Sequence, residues 1–164
     1  MNIKIVFASI VVILGILGIL GRARGVPQVS SAETKKATST LVAAEVLYDF
    51  GTISMKNGLV DHVFKITNAG VRDVNVKKIT TSCMCTSAYI KSASGEKGPF
   101  GMEGMGYVPP ADELIKAGDA RNVRVVYNPN AHGPAGVGVI DRLIYLADDA
   151  GGVFTLEIKA VVTP

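Results

Sequence analysis

VDHVFKITNAG, residues 60–70, is the stretch on which the fold turns. Val60, His62, Phe64 and Ile66 alternate with Asp61, Val63, Lys65 and Thr67, so in an extended chain the two sets face opposite ways. One side is apolar and the other mostly polar, the signature of a strand with one face on a core and one toward water. Asn68-Ala69-Gly70 follows at once, and these residue types turn a chain back on itself.

The same pattern continues in both directions. Candidate strands are Glu45–Phe50, Val60–Thr67, Val74–Thr80, Ser87–Ile90, Glu113–Lys116, Asn122–Tyr127, Val139–Ala147 and Val153–Val162. In the last, Phe154, Leu156, Ile158 and Ala160 alternate with Thr155, Glu157, Lys159 and Val161. Asn128-Pro129-Asn130 and residues 148–152 supply further turns. Short strands punctuated every ~8–12 residues describe an immunoglobulin-like antiparallel β-sandwich of seven or eight strands. The chain has no Trp, and its only two Cys are two residues apart, so the core must come from Val, Ile, Leu and a few Phe and Tyr.

Upstream the language changes. Residues 5–21, IVFASIVVILGILGILG, carry no charge and are bracketed by Lys4 and by Arg22 and Arg24. At ~1.5 Å per residue such a run reaches the short end of a bilayer span, yet exceeds the ~7–15 residues of a secretory core, which favours an uncleaved transmembrane anchor over a signal segment. Residues 22–40, rich in Ser, Thr, Ala and Lys, read as a flexible tether, and residues 41–164 as the sandwich domain. Positive charges after the span argue for that domain inside. A short N-terminal apolar segment ahead of a soluble domain argues for export, and the expectation adopted is a single-pass membrane protein with the domain extracytoplasmic.

With 164 residues and 48% apolar composition, the chain is too small for a multidomain enzyme and too apolar for a disordered protein. Its charge of +3 is not a binding face for nucleic acid. Residues 41–164 hold 12 basic and 13 acidic side chains, so the excess belongs to the leader and tether.

YDFGTI at 48–53, HVFKITNAG at 62–70, SCMCT at 82–86, RVVYNP at 124–129 and the terminal LEIKAVV together resemble the DUF1573 family of exported bacterial proteins. The resemblance spans residues 44–162 and implies one Ig-like domain, related to the modules of major sperm protein and of ciliary and centrosomal repeats. Its sharpest motif is Ser-Cys-x-Cys-Thr, whose middle residue, often Gly in the family, is Met84 here. The resemblance implies a fold and no particular activity.

Chemistry concentrates at Cys83 and Cys85. On a continuing strand, Ile79, Thr81, Cys83 and Cys85 share one side and Met84 takes the other. Three states are open to the pair: semi-buried thiols serving as small hydrophobes, a bridge that needs a bent and strained backbone, or half of a metal site. Residues 91–111, with five Gly and three Pro, read as a long loop carrying Met102 and Met105. Cys and Met are soft donors suited to Cu(I), so Cys83, Cys85, Met102 and Met105, with His132 from the 128–136 turn, define a candidate copper site. Packing of both Met against the sandwich is the plainer alternative.

His62, on the apolar face, reads as a packed, hydrogen-bonded residue. Asp112, Glu113, Asp148 and Asp149 fall in turns and read as solvated. No phosphate loop, HExxH or GxSxG occurs, and no catalytic residue or organic cofactor is assigned. The expected function is a non-enzymatic binding or structural module of the cell envelope with an unidentified protein partner. A Cu(I)-binding module is the alternative, and a thiol redox protein ranks third.

Overall fold

The computed structural model describes residues 38–164, which form two packed five-stranded sheets. In chain order the strands are β1 (Leu41–Ala43), β2 (Leu47–Ser54), β3 (Val60–Asn68), β4 (Val74–Thr81), β5 (Thr86–Ser92), β6 (Gly95–Phe100), β7 (Glu113–Ile115), β8 (Ala120–Tyr127), β9 (Gly138–Asp148) and β10 (Val153–Thr163). One sheet runs β1-β3-β8-β5-β6, the other β2-β10-β9-β4-β7. Among the described residues no helix is long and apolar enough to cross a membrane. The segment 5–21 assigned to the membrane lies outside the described residues.

The period-two reading carries into the packing. On β3, Phe64 and Ile66 are buried while Asp61, Val63 and Lys65 are exposed, and on β10 Leu156, Ile158 and Ala160 turn inward. They meet Val76, Ile79, Ile90, Val123, Val125, Ile144 and Leu146 in one continuous core. Each fully buried aliphatic side chain contributes ~1.5–3 kcal/mol, so a core without Trp is sufficient here. His62 is packed as expected. Its ring stacks on Tyr48 at 3.6 Å, meets the edge of Phe64 at 4.8 Å, and bonds the Glu45 carboxylate through Nε2 at 2.8 Å.

The strand count, the pairing and the long loop need correction. The sandwich has ten strands rather than seven or eight, and it is not purely antiparallel, because β2 pairs in parallel with β10. That pairing shifts register where Phe50 and Gly51 oppose Ala160 alone, and Gly51 takes the left-handed conformation, φ +65°, that such a bulge favours. The 91–111 segment is also not one loop, since Lys91 and Ser92 end β5 and Gly95–Phe100 form β6, paired to β5. Its Gly and Pro disguise a strand that is permitted at a sheet edge, where a missing N–H costs nothing. Gly98, at φ +133°, lies where a Cβ would come within 2.8 Å of the Ala88 carbonyl oxygen and the Tyr89 ring, so only glycine fits.

The acids differ as well. Glu113 and Asp148 are buried, not solvated. Asp148 Oδ1 accepts from the backbone N–H groups of Ala150 and Gly152 and so shapes the β9–β10 turn.

Candidate functional site: a bridged Cys-x-Cys turn at the sandwich rim

β4 ends at Thr81, and the chain then bends through residues 82–85 before β5 begins. The bend is held from several sides. The Thr81 hydroxyl reaches the carbonyls of Cys83 (2.9 Å) and Thr86 (3.0 Å), Thr86 N–H donates to the Cys83 carbonyl (3.1 Å), and Ser82 exchanges two 2.9 Å bonds with Leu143 of β9. Faces still alternate through the turn. Ser82 and Met84 are exposed, Cys83 is half-buried, and Cys85 is 2% exposed.

Within this turn the sulfurs of Cys83 and Cys85 are joined in a disulfide, with Cα atoms 5.2 Å apart. Of the three states left open by the sequence, the bent backbone admits the bridge. His132 arrives from the loop after β8, whose Asn128 N–H donates to the Cys85 carbonyl at 2.9 Å. Internal bonds from Ala131 N–H to the Asn128 carbonyl and from Gly133 N–H to the Asn130 carbonyl hold that loop, and His132 Nε2 lies 3.2 Å from Cys83 Sγ. The ligand atoms of Cys83, Cys85 and His132 all fall within 4.8 Å of one another.

On the inner side stands Arg142 of β9. Its Nε donates to Cys85 Sγ at 3.2 Å, and the Thr86 hydroxyl lies 3.7 Å from the same sulfur. Tyr127, at the end of β8, is also buried here. Burial pushes its phenol above the ordinary value, partly offset by the nearby Arg142 charge, so it stays protonated at neutral pH.

Met102 and Met105 are placed differently from the cysteine–histidine group. With Met84, Tyr107, Val108 and Thr86 they line a groove of about 240 Å³, which Cys83, Cys85 and His132 do not line. Met84, Met105 and Tyr107 are 50%, 57% and 85% exposed. Two participants were missed in the sequence. Arg142 occupies a position that β9's alternation gives to Ile140, Ile144 and Leu146, and a charge in that register was the available signal. Met84 is legible in the sequence as a departure from glycine that faces away from Cys83 and Cys85, with no signal that it joins Met102 and Met105.

A family model described as "Protein of unknown function (DUF1573)" matches residues 41–102. Residues 41–102 are therefore similar to DUF1573. The match runs from β1 through β6 and includes the bridged turn, and it is shorter than the 44–162 span that the resemblance implied. His132 and Arg142 lie beyond it. No curated protein sequence matches the chain.

Among solved structures, a protein of unknown function from Porphyromonas gingivalis W83 is similar over 79% of this chain and 50% of its own, at 17% identity and TM-score 0.53. The Vibrio cholerae VesB protease is similar over 76% of this chain and 32% of its own, at 13% identity and TM-score 0.50. The ASH/PapD-like domain 7 of human CEP192 is matched over 84% of this chain and 95% of that domain, at 12% identity and TM-score 0.44. The chain thus spans half of the first of these proteins and a third of the second, and the likeness to them is one of fold.

Proposed function

We propose that this chain is an exported, membrane-tethered Ig-like module of the cell envelope that acts by binding another protein rather than by catalysis. The groove carries this reading. Four large apolar side chains, Met84 within the covalently pinned turn and Met102, Met105 and Tyr107 from the segment after β6, stand partly or largely exposed in one depression at the rim. Grouped exposed apolar side chains mark interaction sites, and methionine adapts its flexible thioether to varied partners. The fitting occupant is an apolar segment of an envelope protein.

A photo-crosslinking residue placed at Met105 in cells is expected to yield one discrete protein adduct, while the same residue at Lys65, on the polar outer face of β3, yields none. Equal labelling from both positions would overturn the docking surface.

A second reading is Cu(I) binding, favoured by the convergence of Cys83, Cys85 and His132. Two thiolates and an imidazole are soft and borderline donors suited to that ion. Because the sulfurs are bonded to each other, the set becomes available only on reduction. Met102 and Met105 would add thioethers from the neighbouring groove. Titration of the reduced full chain with Cu(I) should end near one ion per chain and drop to none in Cys83→Ser/Cys85→Ser. An unchanged endpoint in the double variant removes the site.

A further inference from the structure

Arg142 is a cation on the inward face of β9, in register with buried Ile140, Ile144 and Leu146. Its guanidinium donates to the Asp141 carbonyl at 2.8 Å and to Cys85 Sγ at 3.2 Å. Among the described residues no carboxylate lies within ion-pair distance of it. A half-buried guanidinium normally comes with a counter-charge, and a disulfide sulfur is only a weak neutral acceptor. A Cys85 thiolate in the same place would be the missing anion.

We infer that Cys83–Cys85 is a redox-active disulfide that exchanges with thiols, with Arg142 as the built-in counter-ion of the Cys85 thiolate. Accessibility sets the direction of attack. Cys83 is half-buried at the rim, whereas Cys85 is 2% exposed.

A thiolate RS⁻ attacks Cys83 Sγ. An R–S–S–Cys83 bond forms as the Cys83–Cys85 bond breaks, and the electron pair of the broken bond stays on Cys85 Sγ, beside Arg142 Nε and the Thr86 hydroxyl. Stabilising that leaving group speeds the step. A second RS⁻ then attacks the R sulfur, forming RSSR and releasing Cys83 as a thiolate next to His132 Nε2. Two thiolates are thereby oxidised to one disulfide while the protein's disulfide is reduced to two thiolates, and the reverse sequence oxidises a dithiol. The Cys-x-Cys turn stays fastened to β9 by the two Ser82–Leu143 bonds, which keeps Cys85 facing Arg142 in either state.

The test uses the full chain in detergent, purified without reductant. Brief exposure to glutathione, an iodoacetamide quench and peptide mapping should place glutathione on Cys83 and the alkyl group on Cys85. Glutathione mainly on Cys85, or no adduct while the denatured chain reacts, would overturn the assignment. Arg142→Gln should slow reduction about tenfold and lower the midpoint potential by ~30 mV, the equivalent of a tenfold change in equilibrium constant. Arg124→Gln, which alters an arginine paired to Glu96 at the opposite sheet's surface, should leave both unchanged. A folded Arg142→Gln chain with the wild-type rate and midpoint would also overturn the inference. Should that variant fail to fold, the wild-type peptide map decides alone.

Discussion

Asn68 shows how much one polar residue can organise. It is fully buried at the end of β3, yet each side-chain group has two partners. Nδ2 donates to the carbonyls of Arg72 (2.7 Å) and Ile115 (3.1 Å), while Oδ1 accepts from the Thr40 hydroxyl (2.9 Å) and Gly70 N–H (3.0 Å). The residue therefore ties the chain ahead of β1, the β3–β4 turn and β7 to one point. Asn68→Ala removes all four bonds and strands buried partners, so a loss of about 3 kcal/mol is expected. Denaturant unfolding of the variant measures it, and a change below about 0.5 kcal/mol would contradict this account. In the sequence Asn68 is legible only as a turn former, because its partners lie up to 47 residues away. Cys83 and Cys85 were legible as the chemical centre, but their bridged state depended on a bend that no period-two pattern announces.

Between elements, the decisive contact is a buried carboxylate. Glu113 of β7 reaches across from its own sheet to Arg121 of β8 (2.7 Å) and Lys97 of β6 (3.0 Å) in the other. Burial alone would raise its pKa, but hydrogen bonds and charge from Arg121 and Lys97 overcome that and hold it below the usual 4.5. A depressed folded-state pKa means this stabilisation is present above the unfolded-state value. It is lost as pH falls from about 4.5 through the lower folded-state pKa. Glu113→Gln should cost about 2 kcal/mol at neutral pH, and the gap to wild type should narrow steadily below pH ~4.5. A pH-independent gap in urea unfolding midpoints would reject the inter-sheet clasp. The strand holding Lys97 was hidden in the sequence by Gly and Pro that usually signal loops. Tertiary position at an edge is what allows them in β6.

At the scale of the whole molecule, the β-sandwich, the segment similar to DUF1573 and the rim chemistry belong to one domain, while the proposed membrane address rests on residues 5–21. Protease added to intact cells is expected to remove the sandwich, and a protected domain would reverse the assigned orientation. The sequence by itself determined the strand class, the inward and outward faces of β3 and β10 and the uncharged apolar run at residues 5–21. These depend on backbone geometry that repeats every two residues in a strand, or on uninterrupted composition, and both are local. Only the tertiary structure decided that β2 lies parallel to β10, that His132 reaches Cys83 from 49 residues away, and that Arg142 reaches Cys85 from 57. Such meetings are set by how two sheets close on a shared core and where their loops then end, a property of packing that no single stretch of chain carries.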